Sequence, residues 1–283
     1  MTEEKLQLKF DPRTIEHLGI KMYSQLPYAL AELVANAYDA DATEVTVMLY
    51  DNVSNDKRII IRDNGDGMSY EEVKENFLVI GRKRRDTDSS RTNSSGRKIT
   101  GKKGLGKLAL FGIGKTITIE TTKSGEELKT QFTMDWDSIL GESSGTYYPT
   151  YKRIRKDNIE EKGTTITLYN LSRKTSFDLN ATAVSLSKLF NCFDEKSFIV
   201  KIKRNDTEEI NLTKELQYSG ISKEFEWDIE SIVKEIDDEY QYKNCLKGKI
   251  LSTKKPMDQS LRGITLYVNG RLANVAGFFG VPE

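Results

Sequence analysis

Asp63-Asn64-Gly65-Asp66-Gly67-Met68 follows directly on the isoleucine-rich run Lys57 to Arg62, and this junction of strand and glycine turn decides the fold. A short run rich in isoleucine that ends in turn residues reads as a strand. A strand that ends in an aspartate sets a carboxylate acceptor at the rim of a sheet. Two glycines after it let backbone approach a flat ligand, because neither carries a Cβ. Such an acceptor suits the exocyclic amino group of adenine, while Asn-Gly and Asp-Gly also build ordinary hairpin turns. A calcium loop is the weaker rival, since its twelfth position would require glutamate at 74, which is lysine.

Upstream, Pro27 suits the first turn of a helix. Leu30, Leu33, Val34 and Ala37 then follow an i, i+3, i+4, i+7 spacing that makes one buried stripe. Glu32, Asn36 and Asp39 lie at i, i+4 and i+7 and share one face beside that stripe. A glutamate there can take a proton from an attacking water, and an asparagine oxygen is a neutral hard ligand suited to magnesium. A solvated helix face is the plain alternative. A strand is predicted over 44–50.

Downstream, Ser69 caps a helix with Glu72 at its third position, predicted to run to about Val79. Residues 81 to 103 combine Gly, Ser, Thr, Arg and Lys with almost no apolar content and read as a long surface loop, mobile when empty. The loop ends in Gly101-Lys102-Lys103-Gly104-Leu105-Gly106-Lys107, which opens a helix to Phe111. Glycine amides, lysine charge and a helix N-terminus together favour phosphate, and a flexible basic loop is the alternative. It is not a Walker loop, because Lys107 is followed by Leu108. Strands are predicted near 115–122, 127–135, 147–154, 163–169 and 198–203, with a helix from about Ala181 to Phe190, giving an α+β layer.

Lys plus Arg number 43 and Asp plus Glu number 43, so overall charge selects no polyanionic partner. From Arg82 to Lys107 ten residues are basic and two acidic, a local patch that neutralises a triphosphate or touches a nucleic-acid backbone. Cys192 and Cys245 stand far apart without metal-ligand companions, and His17 is the single histidine, which argues against a zinc site or a disulfide framework. No run approaches the length of a membrane span. The chain reads as soluble and cytoplasmic.

Taken in order, Glu-x-x-x-Asn-Ala-x-Asp-Ala (32–40), Asp-x-Gly-x-Gly-Met (63–68) and Gly-x-x-Gly-x-Gly (101–106) resemble the successive boxes of the gyrase, heat-shock chaperone, histidine kinase and MutL (GHKL) ATPases. Gly163-Thr164-Thr165-Ile166-Thr167-Leu168 looks like the Gly-Thr strand that closes that family's adenine pocket. The resemblance implies a Bergerat-type mixed β-sheet covered on one face by helices. It implies ATP and Mg2+ as ligands and slow hydrolysis driving a clamp or conformational switch; a nucleotide-binding scaffold without significant hydrolysis is the alternative. By the same resemblance Glu32 is the general base and Asn36 holds magnesium. Asp39 supports this face or reaches the sugar, and Asp63 binds adenine with Thr164 through a shared water. Gly65, Gly67 and Met68 shape the pocket. Gly104, Leu105, Gly106 and Lys107 meet the phosphates, and the segment 81–107 is the lid. The basic lid looks closest to bacterial relatives of MORC proteins and MutL-like clamps, less like gyrase or the heat-shock chaperone. That implies a nucleotide-dependent homodimer acting on DNA or another protein, with no membrane partner. A phospho-acceptor role for His17 is disfavoured.

A change of composition near Asn205 to Leu212 sets the expected boundary, with 1–207 the ATP-binding domain and 208–283 a partial second α/β domain. In the latter, Ile264-Thr-Leu-Tyr-Val-Asn269-Gly270-Arg271 resembles the Val-Asn-Gly-Arg strand of MutL-like transducer domains. The end at Val281-Pro282-Glu283 reads as a mid-domain stop, before any lysine that would reach the terminal phosphate, so slow turnover is expected of these residues.

Overall fold

The computed structural model describes residues 8–9, 25–51, 57–79, 95–99, 110–142, 146–193, 197–235, 245–257, 262–274 and 276–278. The chain divides into two compact units. The first comprises Met1–Gln217 with Val268–Arg271, and the second comprises Tyr218–Tyr267 with Leu272–Glu283.

Unit one is built on a mixed eight-stranded sheet. Its strands are β2 (Glu44–Tyr50), β3 (Arg58–Asp63), β4 (Gly114–Thr122), β5 (Leu128–Asp135), β7 (Thr150–Arg155), β8 (Gly163–Leu171), β9 (Ile199–Arg204) and β10 (Glu208–Asn211). They lie in the order β10-β9-β2-β3-β8-β4-β5-β7. All neighbours are antiparallel except β2 and β9. A separate short pair joins β1 (Leu8–Lys9) to β6 (Thr146–Tyr147).

Burial alternates along β2 and β9, and along the start of β3, as a sheet with one covered face requires. The register turns this alternation into rows across the sheet. Leu49, Ile59, Leu168, Ile117 and Met134 form one interior row, and Val47, Ile61, Ile166, Ile119 and Phe132 the next. Two helices, α1 (Leu26–Asp39) and α4 (Leu179–Ser187), pack on each other and cover this apolar surface. In α1, Leu26, Ala29, Leu30, Leu33, Val34 and Ala37 are buried, while Glu32 and Asp39 are half-buried and Asn36 is exposed. This is the α+β arrangement, a mixed sheet with helices on one face, that belongs to the Bergerat ATPase fold.

Between β3 and β4, Ser69 and Glu72 form the reciprocal cap that their spacing predicts, with Ser69 N donating to Glu72 Oε2 at 2.9 Å and Glu72 N to Ser69 Oγ at 3.1 Å. The helical run ends close to where it is predicted to, but only its first turn, α2 (Tyr70–Glu72), is α-helical; Val73–Phe77 form a π-helical turn that stops at Leu78. A further single turn, α3 (Trp136–Leu140), follows β5 and is capped by Asp135. The polar run 205–212 is a left-handed turn at Asn205 and Asp206 followed by edge strand β10, all within unit one.

Unit two holds β11 (Lys223–Asp228) paired with β12 (Lys249–Thr253), and the short helix α5 (Ile229–Val233). Val233 is the one buried residue among the described residues of that unit. The continuous strand expected over Ile264 to Val268 is reduced to β13 (Tyr267–Val268), which pairs with β14 (Arg271–Leu272), while Ile264 forms an isolated antiparallel bridge with Gly277.

Candidate functional site

One interior row differs from the two apolar ones. Val45, Asp63, Thr164, Thr121 and Thr130 stand side by side across β2, β3, β8, β4 and β5, so the covered face of the sheet ends in polar groups. Most buried polar side chains are hydrogen-bonded, and Asp63, Thr164 and Thr121 are densely so, whereas the buried hydroxyl of Thr130 has no hydrogen-bond partner among the described residues. Asp63 Oδ1 accepts from Gly65 N at 2.9 Å and from Thr164 N at 3.3 Å. Thr121 and Thr164 hydroxyls lie 3.0 Å apart. Thr121 Oγ1 also accepts from Met68 N at 2.9 Å and donates to the Gly163 carbonyl at 3.2 Å.

The turn after β3 is folded against this row. Gly67 has φ of +67°, and a Cβ there would fall 1.9 Å from the Thr122 carbonyl oxygen, so only glycine fits. At Gly65 a Cβ would come within 2.7 Å of the Ala40 carbonyl oxygen. That carbonyl accepts from Asp66 N at 2.7 Å, which ties the turn to the C-terminal end of α1. Glu32, Asn36 and Asp39 are therefore carried on the helix whose end touches the Asp63 turn. Asn64 fastens the other side, accepting from the amides of Thr43 and Glu44 at 2.9 Å each.

Desolvation pushes the Asp63 carboxyl up to about 6, against the two backbone donors that favour its charge. The carboxyl lies deep, although the residue as a whole keeps some surface. Perturbed acids of this kind concentrate at functional sites.

A cleft of about 270 Å³ opens at the same end of the sheet. Asp63, Thr121 and Thr164 line it together with Thr46, Arg62 and Glu120. It reaches none of Glu32, Asn36 and Asp39, so the polar row and the α1 face, rather than this cleft, define the candidate site. Glu32 is ion-paired with Arg271, whose Nη2 donates to its Oε1. Gly104, Leu105, Gly106 and Lys107 lie outside the described residues, as do 81–94 of the expected lid and His17.

Residues 23–164 match the family described as histidine kinase-, DNA gyrase B-, and HSP90-like ATPase. The match runs from just ahead of α1 to Thr164 and so takes in the whole polar row. The chain belongs to this ATPase family. Residues 23–164 of its first unit thus carry an ATPase domain of the GHKL and HSP90-like type.

Among curated relatives, a putative type II restriction enzyme, HgiDII, of Herpetosiphon aurantiacus is 42% identical over 125 residues, which is 44% of this chain and 19% of that protein. The chaperone protein HtpG of Nocardia farcinica is 29% identical over 171 residues, 52% of this chain and 25% of the chaperone. HtpG of Rickettsia typhi is 28% identical over 204 residues, 62% and 30% respectively. The matched stretch thus spans 19% to 30% of the length of these relatives. Heat-shock chaperones, which the lid's composition set further off, are therefore among its relatives. No helix among the described residues is long and apolar enough to cross a membrane.

Two participants escaped the sequence reading. Thr121 carried a usable signal: after Ile117 and Ile119, period-two alternation puts 121 on the interior face, where a threonine is conspicuous. The pairing of Arg271 with Glu32 spans 239 residues and left no local signal.

Proposed function

We propose that this chain binds ATP at the polar row and hydrolyses it slowly, using the nucleotide state to drive a clamp-like conformational switch. The observation that carries the reading is the Asp63, Thr164 and Thr121 constellation, with the glycine turn folded beneath it. An ionised Asp63 would accept the adenine amino group, and the Thr164 and Thr121 hydroxyls would hold a water between ring and protein. Gly65, Gly67 and Met68 would shape the pocket, and Asp39 would meet the sugar or support the helix face. Glu32 would take a proton from the attacking water as the bond from the terminal phosphorus to the bridging oxygen breaks and ADP leaves.

Asn36 suits magnesium: its neutral amide is exposed on the polar side of α1, and Mg2+ characteristically keeps several waters and takes one or two protein ligands beside substrate phosphates. The ion, when bound, would neutralise phosphate charge. Gly104, Leu105, Gly106 and Lys107, with the lid at 81–107, would supply amides and charge to the phosphates. A transducer-like role for the chain beyond the first unit belongs to the same proposal. So do a nucleotide-dependent homodimer and an action on DNA or on another protein, to which a restriction-enzyme relative and the chaperones lend support of different kinds.

The test is a pair of variants read by two methods. Glu32→Ala is expected to bind a non-hydrolysable ATP analogue normally in calorimetric titration but to lose about a hundredfold in turnover, the usual scale for a general base. Asp63→Asn turns an acceptor into a donor facing the adenine amine and is expected to lose most affinity. Parental turnover in the first variant, or parental affinity in the second, would overturn the corresponding role.

A further inference from the structure

Arg271 lies far along the chain from the helix it touches. It follows the turn Asn269-Gly270, whose φ values of +51° and +80° give the two left-handed residues typical of tight two-residue hairpins. That tip is seated firmly on unit one, to which Val268–Arg271 belong. Asn191 N donates to the Gly270 carbonyl at 2.7 Å, and Phe190 bridges Arg271 in antiparallel fashion. A Cβ at position 270 would fall 2.5 Å from Cys192 Cβ, so the fit needs glycine for space as well as for φ. The seating delivers the Arg271 guanidinium to the Glu32 carboxylate, with side chains only 27% and 15% exposed.

We propose that Arg271 is a latch on Glu32, holding the carboxylate in a resting ion pair that must open before it can take a proton from water. The inference rests on Glu32 being the general base. A carboxylate oxygen that accepts guanidinium N–H groups is occupied where the water proton would arrive, and a sheltered charge-assisted pair holds that geometry better than a surface one. The latch acts through Glu32 without touching nucleotide, so it restrains the chemical step and leaves affinity alone.

The test measures kcat, KM and analogue affinity for Arg271→Gln in the whole chain. The expected result is a kcat raised roughly threefold to tenfold, the scale of releasing one partly sheltered ion pair, with KM and analogue affinity unchanged. Damage to the fold would lower kcat or weaken binding, so a pure gain in kcat separates restraint from support. Gly270→Val unseats the tip and is expected to give the same gain. Arg271→Lys, which keeps the charge but loses the planar fork, is expected to give a smaller one, and it decides the matter should Arg271→Gln fold poorly. The gain must vanish when Arg271→Gln is added to Glu32→Gln. A kcat lowered or unchanged in the folded Arg271 variants would overturn the latch, as would a gain that persists without Glu32. Parental turnover in Glu32→Gln alone would instead overturn the underlying reading of the base.

Discussion

At the scale of single residues, Asp63 sets two opposed pH dependences. Its folded-state carboxyl sits at about 6, above the ordinary 3.8. Between those values the folded protein keeps a proton that the unfolded chain releases, so stability falls as pH rises through this window. Above it a constant deficit on the order of 3 kcal/mol remains in the nucleotide-free protein. Adenine bound as proposed requires the opposite state, the ionised acceptor. Analogue affinity is therefore expected to weaken about tenfold per unit as pH drops below about 6, measured by titration across pH 5 to 8. Asp63→Asn is expected to raise the unfolding midpoint of the free protein at pH 7.5 while removing binding, and a lowered midpoint would contradict the desolvation account. Thr121, 1% exposed and bonded to Thr164, Gly163 and Met68, is a second pivot. Thr121→Val leaves those partners short of a buried hydroxyl and is expected to cost about 1–3 kcal/mol in denaturant unfolding.

At the scale of elements, the segment 95–99 is pinned to the start of the sheet by Arg97. Its guanidinium donates to the carbonyls of Ala42 and Ser197 at 2.7 Å and of Tyr38 at 3.4 Å, and lies 4.6 Å from the Tyr38 ring centre and 5.5 Å from that of Phe198. Ser95 adds bonds to Asp41, which sits just past the end of α1 in a left-handed conformation. Arg97→Ala is expected to destabilise unit one by about 2 kcal/mol, given three charge-assisted bonds of partial exposure, and to weaken ATP analogue binding by loosening the part of the proposed lid that is pinned to the sheet. Unchanged affinity would detach that part of the lid from the site. Elements of this kind show what sequence can convey. Strands β2, β3, β4, β5, β8 and β9 fall within a residue or two of their alternating runs, and the Ser69–Glu72 cap is written in two side chains three residues apart. Asp63, Gly65, Gly67 and Thr164 could be singled out because the requirements on them are local. The edge strand β10 was hidden because its EEIN sequence (208–211) is polar and its solvent-facing side needs no apolar pattern. The Arg271 contact was hidden because register and turn seating, rather than any neighbouring residue, decide where its guanidinium lands.

At the scale of the whole molecule, the two units differ in how much apolar surface each encloses. Unit one holds stacked rows of Leu, Ile, Val and Phe beneath α1 and α4, whereas β11 is exposed along its whole length and Phe225 and Trp227 stack in the open at 58% and 46% exposure. Local opening follows buried apolar contact. Backbone amides of β11 and β12 are expected to exchange with solvent faster than those of β3 and β8 by several orders of magnitude, and equal protection in a native-state exchange experiment would refute the difference. The sheet's connectivity carries a further consequence, for the order in which the protein comes into being. Asp63 meets Thr164 at a separation of 101 positions along the chain, and β2 lies parallel to β9, with Glu44 opposite Ile199. Pairings this distant must close a long loop before any contact rewards them. At a synthesis rate of about 5–20 residues per second, a ribosome that has just released β3 works for several more seconds before β8 emerges beside it. Throughout that interval the nascent chain carries Asp63 with no threonine to complete the row, so on the proposed reading of the pocket nucleotide cannot serve as an early folding template and first engages a sheet that is already closed.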